Sequence, residues 1–153
     1  MRAVIQRVKS ACVSVAQQTV GKCEQGCLVL LGVGKEDTEQ DASLLADKIV
    51  KLRIFSDPEG KMNHSLLEFG YSVLLVSQFT LYGDCTHGNR PSFLESAPAK
   101  QAQPLYESFA THLRAYGISV ECGVFGADMT IEPVCDGPVT ILLDTQQLRH
   151  SKV

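Results

Sequence analysis

The 153-residue sequence contains no apolar run long enough to cross a lipid bilayer. A membrane-spanning helix needs roughly 18 or more consecutive apolar residues, whereas the longest apolar runs lie around Leu28–Leu31 and Val73–Val76. Near the amino terminus, Arg2, Arg7 and Lys9 interrupt the apolar positions, so the continuous apolar core of a secretory signal is missing. These absences predict a cytoplasmic protein that makes no membrane contact.

An excess of positive charge is also missing, because the formal net charge is -3. Proteins that coat nucleic acid without sequence preference derive their affinity mainly from counterions released at Lys and Arg. The balance therefore argues against such a protein, although it leaves open a protein that grips one RNA end. Two small basic groups are typical of solvated faces when each is taken alone: Arg2, Arg7 and Lys9, and Lys48, Lys51 and Arg53.

The six cysteines do not form the ligand pattern of a zinc site. Cys23 and Cys27 are four residues apart and Cys85 precedes His87 by two, but neither spacing is matched by a second ligand pair. Reducing conditions inside a cell disfavour structural disulfides. We therefore expect free thiols, no metal and no cofactor.

The segment GVGK, residues 32 to 35, has a superficial similarity to a phosphate-binding loop. Such a loop requires two glycines five residues apart, followed by Lys and then Ser or Thr. Here Lys35 is followed by Glu36 and Asp37, whose carboxylates repel phosphate. Nucleotide binding at this segment is therefore excluded.

The remaining pattern predicts strands and two helices in one mixed α+β domain, residues 1–153, built around a strongly curved sheet. The Val- and Ile-rich opening predicts a strand or hairpin, and Gly21 and Gly26 bracket a turn before the apolar run CLVLLGVG. Thr38 and Asp41 resemble a capping box that begins a helix over 38–52. A second helix extends from Pro98 to a stop at Gly117.

The segment SQFTLYGD, residues 77 to 84, places polar residues directly after a buried strand. Continued alternation along the strand would put Gln78 and Thr80 on one face, and Ser77, Phe79 and Leu81 on the other. If the strand frays after Phe79, freed backbone N–H groups could stabilise the oxyanion of a tetrahedral intermediate. The alternative is that these polar side chains only satisfy backbone groups at a strand end.

The segment DGPVT, residues 136 to 140, precedes the last apolar strand. Proline cannot donate a ladder hydrogen bond, so Pro138 should lie at a strand start or loop tip. A cis bond between Gly137 and Pro138 would direct two carbonyls at a ligand. Taken alone, Gly-Pro is also a common turn marker.

The two segments together resemble the D-aminoacyl-tRNA deacylase family, whose motifs are SQ-x-x-L, here SQFTL, and Asn-x-Gly-Pro-x-Thr, here CDGPVT. The resemblance covers nearly the whole chain through VIQRV, LVLLGV, RIFSD-x-x-GKMN, GNRPSF, LYESF and F-x-ADM. Cys135 stands where the family usually has Asn, which puts one contact to the Gly-Pro loop in doubt but leaves Gly137, Pro138 and Thr140 intact. We expect activity to survive this change.

The resemblance implies a mainly antiparallel, barrel-like sheet with two covering helices, and a homodimer with active sites at the subunit interface. Its substrate would be the 3′ end of D-aminoacyl-tRNA, with glycyl-tRNA also hydrolysed. Gly137 and Pro138, joined by a cis bond, would enter the partner's pocket and exclude L-amino acids. Arg7 would hold this loop and Met129 would lie near the pocket, rather than being a surface cation and a core methionine. The catalytic pocket would consist of Ser77, Gln78, Phe79 and Thr80.

Within that pocket, the resemblance favours oxyanion stabilisation by the backbone N–H of Phe79, with help from the RNA's own 2′-hydroxyl. Thr80 is the weaker candidate as a nucleophile, because no activating base is identified beside it. Two other functions stay open at this point. One is a small-ester hydrolase that depends on Thr80 or a cysteine, and the other is a non-catalytic dimeric module that binds an RNA end.

Overall fold

The computed structural model describes residues 1–151, which form one six-stranded mixed sheet, a separate two-stranded ribbon and the helices around them. The strands are β1 (Arg2–Val15), β2 (Gln18–Cys23), β3 (Gly26–Gly32), β4 (Phe55–Ser56), β5 (Met62–His64), β6 (Ser72–Ser77), β7 (Val120–Cys122) and β8 (Thr130–Asp144). The helices are α1 (Glu39–Lys51), α2 (Leu66–Phe69), α3 (Ala99–Ala115) and α4 (Thr145–His150). A 3-10 helical turn, Phe79–Tyr82, follows β6.

Strand β1 is the centre of the sheet because it pairs antiparallel with β2, β3 and β8. Residues 2–8 of β1 lie between β3 and β8, and residues 11–14 lie between β2 and β8. Beyond β3, strands β6 and β7 continue the sheet in parallel. The sheet curves into a nearly closed barrel, so the expected α+β fold with a barrel-like sheet is confirmed.

The two predicted covering helices are present, with α1 beginning after Thr38 and α3 after Pro98. The capping interaction at α1 is also as expected, since the Asp41 carboxylate accepts a hydrogen bond of 2.8 Å from the Thr38 N–H. Gly117, with φ +82°, follows the end of α3. The short helices α2 and α4 were not predicted, because four to six residues are too few to show a helical period.

Strands β3 and β6 are buried on both faces, which explains their continuous apolar runs. Along β6, Val73 and Leu75 pack in the larger core with α1 and α3, whereas Leu74 and Val76 pack in a second core with Val8. Alternate side chains of one strand thus belong to different cores. In residues 1–151, no helix is both long enough and apolar enough to cross a membrane.

Turn positions agree only partly with the sequence pattern. The turn bracketed by Gly21 and Gly26 is present between β2 and β3. The sequence pattern did not predict the position of the hairpin turn between β1 and β2. This turn has Ala16 and Gln17, at φ +47° and +68°, where glycine is the usual residue. Positive φ at both central residues is the geometry that a two-residue hairpin of type I′ requires.

Candidate active site

A cleft of about 590 Å³ opens where β6 ends, beside the start of α3 and the segment that enters β8. Its wall is mostly apolar and aromatic, with Ser77, Gln78 and Asp128 among its polar residues. Phe79 and Phe93 pack against each other edge to face, with ring centroids 5.1 Å apart. This is the concave, largely apolar kind of surface at which small substrates bind.

The segment SQFTL does not continue as a strand beyond Ser77. The predicted alternation of faces is therefore wrong after that residue, because the chain turns into the 3-10 turn one residue after Gln78. Gln78 and Thr80 still meet, since the Gln78 side-chain amide donates to the Thr80 hydroxyl. Ser77, Gln78 and Phe79 line the cleft, whereas Thr80 lies beside them outside its lining.

The backbone N–H of Phe79 has no hydrogen-bond acceptor in residues 1–151, because β6 ends at Ser77 and the chain turns away from its neighbouring strand. The preceding N–H, of Gln78, donates to the Leu31 carbonyl at 2.7 Å, and the N–H of Leu81 returns to the Gln78 carbonyl at 3.3 Å. Among residues 1–151, no atom accepts from the Phe79 N–H. Such a free donor is expected in the first turn of a helix, and here it belongs to a residue of the cleft wall.

Met129 also lines the cleft and at the same time packs against the second core beside Val76. The two interpretations of Met129, as a residue near the pocket and as a core methionine, are thus compatible. Tyr106, which the sequence did not single out, lies in the same wall and donates to the Leu75 carbonyl at 3.1 Å. Burial raises the pKa of Tyr106 above its usual range. Only its place on the buried stripe of α3 could have suggested it.

The Gly-Pro segment lies in the middle of β8 as a bulge, not at a strand start. Gln6 pairs with Thr140 and Val8 pairs with Cys135, so residues 136–139 stand opposite Arg7 alone. The peptide bond between Gly137 and Pro138 is cis, and both residues are exposed. Gly137 has φ +123°, a conformation that side chains rarely adopt.

Arg7 is buried and contacts this bulge directly. Its Nε donates to the Asp136 carbonyl at 3.1 Å and lies 3.4 Å from the Asp136 carboxylate. Another guanidinium nitrogen donates to the Ile54 carbonyl at 2.7 Å. The alternative of a surface cation is therefore wrong for Arg7, whose planar head fits the base of the loop.

Gln6 is a second support of the loop, and the sequence reasoning missed it. Its side-chain amide donates to the Val139 carbonyl at 3.1 Å and accepts from the Thr140 hydroxyl. The available signal was a polar residue in the Val- and Ile-rich opening, next to Arg7. Cys135, which occupies the usual Asn position, is exposed.

A model of the family described as D-Tyr-tRNA(Tyr) deacylase matches residues 4–144. The chain belongs to the D-Tyr-tRNA(Tyr) deacylase family. It is 57% identical over 148 residues to a protein of Thermosipho africanus named D-aminoacyl-tRNA deacylase, covering 97% of this chain and 99% of that one. A protein of the same name from Thermus aquaticus is 54% identical and covers 96% and 97%.

Two solved structures share the fold of this deacylase family member. A structure titled c-Myc DNA Unwinding Element Binding Protein matches with a TM-score of 0.87 and 40% identity, over 94% of this chain and 98% of that one. A structure described as a probable eukaryotic D-amino acid tRNA deacylase matches with a TM-score of 0.81 and 19% identity, over 93% and 97%. The second likeness concerns the fold alone.

A single deacylase chain does not unite the two parts of the predicted site. Ser77, Gln78, Phe79 and Met129 line the cleft, but in the described chain Arg7, Gly137 and Pro138 are absent from its wall. The bulge faces outward on β8 instead. The site residues therefore form two separate groups on each chain.

The cysteines of this deacylase lie outside the cleft wall. Burial raises the pKa of the Cys23 thiol to about 11 and that of Cys27 to about 12, which leaves both almost fully protonated at neutral pH. Among residues 1–151, no group of three or more His, Cys, Asp or Glu side chains could hold a metal ion. The geometry thus offers a polar backbone donor rather than an activated thiol.

Proposed function

We propose that this chain hydrolyses the ester bond of D-aminoacyl-tRNA and of glycyl-tRNA, releasing the amino acid and tRNA, and leaves L-aminoacyl-tRNA intact. Family membership and the names of its close relatives support the deacylase activity. The observation that carries the mechanism is the free N–H of Phe79 at the wall of the cleft.

The chemistry needs little more than orientation and charge stabilisation. Attack on the ester carbonyl creates an oxyanion, and a fixed backbone donor such as the Phe79 N–H stabilises it without reorganising. The aminoacyl ester is already reactive, so a positioned water and the neighbouring 2′-hydroxyl of the RNA complete the reaction. Thr80 is a poor nucleophile in this arrangement, because among the described residues its hydroxyl has the Gln78 amide as its partner and no base.

A homodimer would bring the separate groups together. Among residues 1–151, strand β8 pairs with β1 alone, and its 15 residues leave Val134 and Leu142 exposed at 53% and 75%. A long edge strand with exposed apolar side chains is an association surface. In a two-fold dimer the bulge of one subunit would reach the cleft of the other, and both sites would be equivalent.

Chirality would then be selected by exclusion. D- and L-aminoacyl esters carry the same groups, so attraction alone separates them poorly, whereas a rigid obstacle at one position rejects one enantiomer. The carbonyls of Gly137 and Pro138 would form that obstacle. Glycine has no side chain and would pass.

The first test compares hydrolysis of D-tyrosyl-, L-tyrosyl- and glycyl-tRNA by protein dialysed against a chelator. We expect rapid loss of the D-tyrosyl and glycyl esters while the L-tyrosyl ester persists. Hydrolysis of all three at equal rates would indicate a general esterase. Binding of tRNA without hydrolysis of any would indicate the RNA-end-binding module instead.

The second test separates the RNA hydroxyl from Thr80. D-tyrosyl-tRNA ending in 2′-deoxyadenosine should be hydrolysed about 100-fold more slowly, the lower end of what a positioned proton-transfer group contributes. Thr80→Ala should lower kcat by less than about tenfold, since it removes only one hydrogen bond beside the cleft. A covalent acyl-enzyme that disappears in Thr80→Ala would reverse the assignment.

The third test addresses the selector. Pro138→Ala should raise hydrolysis of L-tyrosyl-tRNA by about tenfold or more while the D rate changes little, because the obstacle loses its rigid shape. Pro133→Ala is the matched control, being an exposed proline of the same strand outside the bulge. Unchanged discrimination in Pro138→Ala would remove the loop from chiral selection.

A further inference from the structure

The far end of the Phe79–Tyr82 turn is attached to the barrel by the side chain of Tyr82. Its ring is buried, and its hydroxyl donates to an Asp37 carboxylate oxygen at 3.2 Å. The same oxygen accepts the Gly34 N–H at 2.6 Å, while the other oxygen accepts from the Met1 ammonium at 2.6 Å. The carboxylate is thus fixed from three directions, which makes it a firm anchor for the tyrosine.

Gly34 makes this attachment possible. Its contact with Tyr82 gives the GVGK segment a structural role, whereas the sequence excluded nucleotide binding there. A Cβ atom at residue 34 would lie 2.8 Å from the Tyr82 ring, closer than van der Waals contact allows. The absent side chain lets the ring approach the backbone just beyond β3. The segment therefore packs against Tyr82, the last residue of the turn.

Arg2 provides a second attachment on the outer side. Its guanidinium carbon lies 4.4 Å from the centre of the Tyr82 ring, and the guanidinium donates to the Leu81 carbonyl at 3.0 Å. Its Nε also donates to Asp144 at 3.1 Å, which orients the head. Tyr82 is therefore held between Asp37 and Arg2.

These attachments matter because a single 3-10 turn is weakly bonded by itself. Its return hydrogen bonds are Leu81 N–H to the Gln78 carbonyl at 3.3 Å and Gly83 N–H to the Thr80 carbonyl at 2.9 Å. The direction of the Phe79 N–H depends on this turn, and so it depends on what holds Leu81 and Tyr82.

We propose that Tyr82, Asp37 and Arg2 are positioning residues that hold the turn so that the Phe79 N–H stays aimed at the ester carbonyl. The proposal rests on the proposed deacylase function for its kinetic part. None of the three touches the reacting atoms. Their effect is expected on the catalytic step and on the local order of the turn.

The test is Tyr82→Phe, which removes the hydroxyl and keeps the ring that Arg2 covers. We expect kcat for D-tyrosyl-tRNA to fall by about tenfold with KM within about twofold, because one anchoring hydrogen bond is lost. Arg2→Met should act in the same direction. Discrimination between D- and L-tyrosyl-tRNA should not change, since the selector loop is elsewhere.

Tyr116→Phe is the matched control, because it deletes another tyrosine hydroxyl that donates to an aspartate. Tyr116 lies just after α3 and donates to Asp47 of α1 at 2.6 Å, away from the cleft. This variant should leave kcat unchanged. The structural readout is amide hydrogen exchange, in which the two hydrogen-bonded N–H groups of the turn, those of Leu81 and Gly83, should exchange about tenfold faster in Tyr82→Phe and at the unchanged rate in Tyr116→Phe.

Three results would overturn the positioning role: an unchanged kcat, a change in KM alone, or exchange that quickens equally throughout the chain. Failure of the wild-type protein to hydrolyse any ester would instead count against the proposed function. In that case hydrogen exchange decides, since selectively faster exchange at Leu81 and Gly83 supports the attachment and unchanged exchange refutes it.

Discussion

The turn Phe79–Tyr82 and the bulge of residues 136–139 both interrupt a strand, but they are supported differently. The turn follows a strand buried on both faces, and Tyr82 anchors it inside the protein. The bulge stands on an exposed edge strand, where Arg7 and Gln6 reach it from the neighbouring β1. The turn is thus held by a buried tyrosine, whereas the bulge is held by two side chains of the neighbouring strand.

This difference suits the parts that the two segments would take in catalysis. A donor that stabilises an oxyanion must already be in place when charge develops, so an interior anchor is appropriate. A selector that acts in a second subunit must project from the surface while keeping its shape. Removing its few supports should therefore damage the bulge more than the cleft, and three experiments probe that contrast.

Arg7→Ala should have the largest effect. It removes hydrogen bonds to the Asp136 and Ile54 carbonyls and leaves the Asp136 carboxylate without its partner, which should lower the free energy of unfolding by about 3 kcal/mol. Urea denaturation measures this change. Lys9→Ala, an exposed lysine two residues along the same strand, should stay within about 0.5 kcal/mol. Equal losses in the two variants would contradict the support assigned to Arg7.

Gly137→Ala should have the next largest effect, about 2 kcal/mol of unfolding free energy, because φ +123° is unfavourable for alanine. The added Cβ would also lie 3.0 Å from Val139 and 3.1 Å from Arg7. Gly126→Ala separates the two causes. That residue also has positive φ, +78°, but has open space around it, so about 1 kcal/mol is expected. A larger loss at Gly126 would show that crowding in the bulge is unimportant.

The smallest perturbation is chemical labelling, which compares Cys27 in β3 with Cys135 beside the bulge. At pH 8, in protein diluted until the proposed dimer dissociates, the exposed Cys135 should react with iodoacetamide, whereas Cys27 should not, because burial raises the pKa of Cys27 from 9.0 to about 12 and the thiolate is the reactive form. Mass spectrometry of native and urea-unfolded protein locates the label. Native labelling of Cys27 as fast as Cys135 would mean that the core around β3 opens readily to solvent.

The sequence was sufficient for the elements whose causes are local. The capping residues Thr38 and Asp41 and the apolar stripe after Pro98 predicted α1 and α3, since both signals lie within the helices themselves. The family motifs also predicted a catalytic pocket of Ser77, Gln78, Phe79 and Thr80, of which the first three line the cleft, while their catalytic roles stay predictions. These predictions needed no knowledge of distant contacts.

The failures occur where distant residues decide the conformation. Apolar residues continue past Ser77, so the pattern predicted more strand, but Asp37 and Arg2 hold Tyr82 in a turn. At Gly137 and Pro138 the pattern predicted a broken strand, but β1 pairs with β8 on both sides of the bulge and keeps it one element. Gln6 and Tyr106 were missed because their partners are remote in sequence.

Strand β1 carries a consequence for how the site can evolve. Arg2 contacts the turn and Arg7 contacts the bulge, so five residues of one extended strand, about 17 Å, set the separation between them. The length of this strand therefore fixes the spacing of the two arginines that contact the turn and the bulge. In the proposed two-fold assembly, any change in its twist would displace the donor and the selector of both sites by the same amount. A substitution that alters this strand would then change the rate of hydrolysis and the discrimination between D- and L-amino acids together.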